Sequence, residues 1–174
     1  MSDHFQRLGL PRRFSVDDAA LERAYLALSR TIHPDYHLTG SEAELSASLE
    51  LSAALNEAYN TLRDPFVRAD YLLNLEGGPS ASEHKQLPPN FLAEMLEARE
   101  EVELARGSPE KVSKLDEGFS KRYAAILDQA GKAFGRYESL LPEDRERVNL
   151  RTQIRGLLNA AKYVRGLLRD LHAD

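Results

Sequence analysis

Apolar side chains recur every three or four residues along most of this chain, and no stretch alternates apolar and polar residues strongly enough to read as a strand. Val112, Leu115, Phe119, Tyr123, Ile126, Ala130, Phe134 and Tyr137 carry the pattern through one segment. Leu150, Ile154, Leu157, Ala161, Val164 and Leu168 repeat it in the next. On a helix such residues share one face, and several such faces bury each other as a bundle. The fold class is therefore predicted to be all-α, and the remaining question is how the helices are divided.

Prolines and caps supply the divisions. Ser15, with Asp17 and Asp18, can cap a helix starting near residue 17 whose stripe is Leu21, Tyr25, Leu28 and Ile32. Pro34 stops that helix and pushes His33 toward extended backbone, so His33-Pro34-Asp35 reads as a turn. Thr39, Gly40 and Ser41 then introduce a second helix through Leu45, Leu49, Leu51, Ala54, Leu55, Ala58, Tyr59 and Leu62, antiparallel to the first. Phe5, Leu8 and Leu10 form a short opening that can pack across the pair. Asp64-Pro65 starts a further helix carrying Phe66, Ala69, Leu72 and Leu73.

Residues 77–89, GGPSASEHKQLPP, combine two glycines with three prolines and read as a linker or an ordered bend. The charge distribution changes at the same place. Residues 1–76 hold 7 basic and 12 acidic side chains, whereas residues 77–174 hold 16 of each. Two units are expected: 1–76, and 90–174 with helices at 90–105, about 109–137 and 142–171, the last opening at Pro142.

Composition removes several function classes. The 174 residues contain no cysteine, which excludes disulfides, thiolate catalysis and cysteine-held zinc or clusters. A net charge of -5 gives no reason to expect nucleic acid as a partner. No apolar run approaches the roughly 18 residues of a membrane span, and MSDHFQRLGL lacks the pattern of a secretory leader, so a soluble protein of a reducing compartment is expected. No glycine-rich phosphate loop, HExxH or nucleophile elbow occurs, and no catalytic residues are assigned.

The densest chemistry lies in RTIHPDYH, residues 30–37. His33, Asp35 and His37 can converge on a divalent ion if the loop is extended, and His33 with Asp35 can form a base and its orienter. A solvated turn that another protein reads accounts for the same residues. Arg23 and Arg30 lie seven positions apart on one helical face and make a small basic surface beside that turn, which ordinary helix solvation also explains.

The HPD turn, the helix pair around it and the later NEAYNTLRDP, residues 56–65, together resemble a J domain. The continuation Arg68-Ala69-Asp70-Tyr71-Leu72-Leu73 and the second-half segment NFLAEMLEAREEVELA, residues 90–105, resemble more specifically the HscB family of co-chaperones of iron-sulfur cluster assembly. The resemblance implies an N-terminal J domain joined to a C-terminal three-helix bundle. It implies a protein that is not itself an enzyme, needs no cofactor or metal, and activates the ATPase of a DnaK/HscA-type chaperone. His33, Pro34 and Asp35 would dock on that chaperone, with Asp35 the critical carboxylate and Arg23 and Arg30 steering. The bundle would bind an IscU-type scaffold through Leu92 and Leu96, a stripe beside the buried Phe91, Met95, Ala98 and Val102, with Ala93, Glu97 and Glu100 adjoining it; the alternative for the two leucines is that they only widen the core face. A family aromatic from the final helix falls at Gln153 in this register. Tyr36 stands where many J domains have lysine, and Ala93 is smaller than the usual bulky residue there. The cysteine-rich zinc module of some eukaryotic relatives is absent, as in bacterial cytoplasmic members. A general J-domain adaptor for another client is the competing reading.

Overall fold

The computed structural model describes residues 1–33, 35 and 39–173, and among these all regular structure is helical, in seven helices. They are α1 (His4–Arg7), α2 (Asp18–Ile32), α3 (Glu42–Arg63), α4 (Pro65–Leu75), α5 (Phe91–Ala105), α6 (Pro109–Ser139) and α7 (Glu146–Leu171). The chain divides into two compact units, Met1–Leu72 and Leu73–Asp174, with the division inside α4.

In the first unit each helix begins where a side chain takes up an amide that the helix itself cannot satisfy. The Asp3 carboxylate accepts the Gln6 N–H at α1, and Asp17, not Ser15, accepts the Ala19 and Ala20 N–H groups at α2. Ser41 and Glu44 form a reciprocal capping box at α3, and Asp64 accepts from Phe66 and Val67 at α4 with Pro65 in its first turn. The α2–α3 pair is antiparallel: Tyr25 stacks on Tyr59 at 4.2 Å, while further along α2 the Ile32 carbonyl meets Ser48. Phe5, Leu21, Leu55, Ala58, Leu62, Ala69 and Leu72 form the core. The N-terminal half of α3 fully buries only Ser48, against the end of α2. Leu49 and Leu51, expected on the buried stripe, are therefore 52% and 54% exposed.

The second unit is a three-helix bundle. Asp116 on α6 meets His172 just beyond α7, and Arg136 meets Glu146 at the other end, so α6 and α7 run antiparallel. Arg122 of α6 pairs with Glu94 of α5, and Phe91 packs edge-on to Tyr163 of α7 at 6.2 Å. Met95, Val102, Phe134, Ile154, Leu158 and Val164 lie in its core. The expected helix start at Pro142 is displaced to Glu146. The Asp144 N–H is taken by the Leu141 carbonyl, and the Asp144 carboxylate accepts the Glu146 N–H at 2.8 Å, which makes a turn of residues 141–144 and caps the helix after it.

Candidate functional site: two exposed surfaces

The first surface is the exit of α2. His33 has extended backbone, φ −62° and ψ 135°, as a residue before proline should. Two hydroxyls hold the last turn. Thr31 donates to the Leu28 carbonyl at 2.8 Å, and Ser48, buried on α3, donates to the Ile32 carbonyl at 2.6 Å. A serine within a helix ordinarily bonds its own preceding turn. Here the hydroxyl reaches the neighbouring helix instead, and it fixes the residue just before His33.

Beyond that anchor the Asp35 N–H donates to His33 Nδ1 at 3.2 Å, and the same ring nitrogen lies 3.4 Å from Asp35 Oδ2. An unprotonated Nδ1 accepts the amide; a protonated one donates to the carboxylate instead. The Asp35 side chain is 76% exposed. Ser29 and Arg30 border the same shallow hollow as His33 and Asp35, so the structure brings Arg30 to the turn. Arg23 is exposed two helical turns earlier on the same helix and does not border it. Pro34, Tyr36 and His37 lie outside the described residues.

The second surface is built on α5. Phe91, Met95, Ala98 and Val102 are buried, as their spacing predicts, while Leu92 and Leu96 are 50% and 58% exposed. Across from them on α7 stands Tyr163, 42% exposed, and the three side chains line one apolar hollow floored by Met95 and Leu167. Glu97 borders a separate hollow on the opposite flank of α5, with Leu104 and Phe119. Ala93 and Glu100 are exposed on the helix and line neither. Gln153, assigned to the aromatic position from sequence, is exposed beside Pro88, Gln129 and Thr152, away from Leu92 and Leu96. Tyr163 is the aromatic side chain of α7 in the hollow with Leu92 and Leu96. A signal for it exists in the sequence: it is the lone aromatic residue of α7, one position off the Ile154–Ala161–Val164 stripe.

Sequence reasoning also missed a set of polar side chains on α7. Arg151 donates to the Glu76 carbonyl at 2.7 Å, and Arg155, only 3% exposed, donates to the Pro79 carbonyl at 2.7 Å. Asn159 donates to the carbonyls of His84 at 2.9 Å and Gln86 at 3.2 Å. Nearby the Tyr137 hydroxyl donates to Glu76 at 2.9 Å under the Arg147 guanidinium, and burial, with that bond, raises the phenol's pKa.

Comparisons with known proteins agree with this two-part organisation. Residues 3–71 match the family model described as the DnaJ domain, and residues 87–172 match that described as the HSCB C-terminal oligomerisation domain. The chain is 43% identical over 106 residues to a co-chaperone protein HscB homolog of Ralstonia nicotianae, an alignment spanning 60% of each chain. It is 40% identical to the homolog of Bordetella petrii over 73% of this chain and 79% of that one. Among solved structures, chaperone HscB from Vibrio cholerae superposes with a TM-score of 0.75 at 30% identity, over 98% of this chain and 95% of the other. Human co-chaperone protein HscB gives 0.82 at 25% identity, over 98% and 81%. No described helix is long and apolar enough to cross a membrane.

Proposed function

Because the chain belongs to the HscB family of J-domain co-chaperones, we propose that it couples an iron-sulfur cluster scaffold of the IscU type to a DnaK/HscA-type chaperone in the bacterial cytoplasm. Its part is binding; ATP hydrolysis belongs to the partner. The observation that carries the reading is the pairing, in one chain, of an exposed Asp35 beside Arg30 at the end of α2 with an apolar, aromatic-flanked hollow on the second unit.

At the first surface Asp35 is the charge acceptor for a cation on the chaperone, and His33 fixes its backbone through the amide. Arg30, with Arg23 behind it, draws the helix toward an acidic surface, which raises the encounter rate more than the final affinity. At the second surface Leu92, Leu96 and Tyr163 receive the scaffold, and Ala93, Glu97 and Glu100 give polar and steric definition around them. Gln153 is not assigned a contact in this reading.

Single-turnover ATP hydrolysis by the chaperone tests the first half. Asp35→Asn keeps the shape and removes the charge, so it should abolish at least about tenfold of stimulation, because losing one member of a buried charged pair costs about 2–5 kcal/mol. Circular dichroism should be unchanged. Stimulation equal to wild type would remove the turn from the proposed interface.

A further inference from the structure

Residues 77–89 are the segment whose composition reads as a linker, yet their backbone is held by a ladder of donors on α7. Arg151, Arg155 and Asn159 are spaced by four residues and so lie on one face, one per turn. Each donates to a carbonyl of the segment or of Glu76 just before it. Within the segment Ser80 and Glu83 cap each other, the Ser80 N–H donating to Glu83 at 2.7 Å, and the His84 N–H donates to the Ser80 carbonyl at 3.1 Å. A loop whose carbonyls are satisfied in this way presents its side chains in fixed places.

Those places complete the hollow of the second unit. Lys85 and Leu87 line it beside Leu92, Leu96 and Tyr163, so the hollow has three walls: α5, α7 and the segment. Leu87 is largely buried. The rim carries Lys85, Arg99, Lys162 and Arg169 against a single acid, Asp170. An apolar floor inside a basic rim is complementary to an apolar segment flanked by carboxylates.

Resting on the scaffold-binding reading above, we infer that Leu87 is a further contact residue for the scaffold and that Asn159 positions it. The scaffold segment seated there is apolar with acidic flanks. Asn159 acts through the His84 and Gln86 carbonyls on either side of Lys85, next to Leu87. Loss of its amide frees that wall without touching Leu92 or Leu96.

Calorimetric titration of the full chain with purified IscU-type scaffold, at low and high salt, tests this. Leu87→Ala and Asn159→Ala should each weaken binding roughly two- to fivefold, the range for one leucine that is largely buried before docking. The double variant should bind no more weakly than the poorer single variant, because both changes remove the same contact. A purely structural role for Asn159 would make the two losses add. Lys162→Glu should weaken binding and flatten its salt dependence. If Leu92→Ala weakens binding while Leu87→Ala and Asn159→Ala leave it unchanged, the third wall is refuted and the scaffold reading stands. Full affinity in Leu92→Ala, or no binding by the wild type, refutes both.

Discussion

Replacing Ser48 by alanine removes the hydroxyl that ties the last carbonyl of α2 to α3. Ser48 is 5% exposed and its hydroxyl lies 2.6 Å from the Ile32 oxygen, so water has little room to replace it. A net intramolecular hydrogen bond contributes about 0.5–1.5 kcal/mol, and an acceptor left buried and unpaired costs about 1–3 kcal/mol. Partial solvation of the freed carbonyl places Ser48→Ala at about 1–2 kcal/mol of local stability. That energy corresponds to an opening equilibrium roughly 5–30 times larger for the end of α2. Hydrogen exchange of the full chain, read at the amides of residues 28–32, measures this opening directly. The amides of α6 serve as the internal control, because they lie in the other unit. The same variant should need a higher concentration for half-maximal stimulation of the chaperone, since Asp35 is then presented by a less ordered turn. Unchanged exchange at residues 28–32 would refute the anchoring role.

Acid should weaken the first unit in two stages. Burial holds the His4 imidazole below its ordinary value of 6.5, with Arg7 adding to it and Glu57 and Asp3 opposing. The unfolded chain therefore takes up a proton that the folded one resists, so stability is full above pH 6.5 and falls as the pH drops below it. Burial alone would raise Asp3, but its bonds with Arg12 and the Gln6 N–H outweigh that and hold it below 3.8. Its contribution is present above 3.8 and lost as the pH falls through the lower folded value. Urea midpoints at about pH 7.5 and about pH 5.5 should show the first stage, and His4→Phe should flatten it; an identical decline in that variant would contradict the assignment. In the second unit Gly78→Ala sets a new Cβ against Leu73 Cδ1, 2.6 Å from Leu73 Cγ and 3.1 Å from the Leu73 carbonyl oxygen. It should cost about 1–3 kcal/mol in urea unfolding, and a neutral result would mean that Leu73 and the backbone shift freely.

The helices were legible because their signals are local. Three-and-four spacing located α2, α3, α5, α6 and α7, and the Asp64-Pro65 cap located α4 to the residue. Positions that depend on a neighbouring element were less legible. Leu49 and Leu51 look like core residues in one dimension, but at that level of α3 burial goes to Ser48. Pro142 has the chemistry of a helix start, yet the Asp144 side chain claims that role. The α5 half of the second surface followed from one helix's own periodicity. Its other half required knowing which turn of α7 lies opposite Leu92: that turn carries Tyr163, while Gln153, the position of the expected aromatic, borders a different hollow. Residues 77–89 read as a linker because glycine and proline composition carries no information about donors some 75 residues away on α7.

Engagement of chaperone and scaffold by one chain is measured by chaperone ATPase titrated with this protein in the presence and absence of IscU-type scaffold. Linked docking should lower the half-maximal concentration when scaffold is present. Leu92 and Leu96 are each about half exposed, so burying the remainder contributes about 1 kcal/mol apiece, roughly 30-fold in affinity for the pair. The Leu92→Ala/Leu96→Ala double variant should therefore lose most of the shift while keeping full stimulation without scaffold. A half-maximal concentration that scaffold leaves unmoved would mean that the two partners do not dock on the chain together.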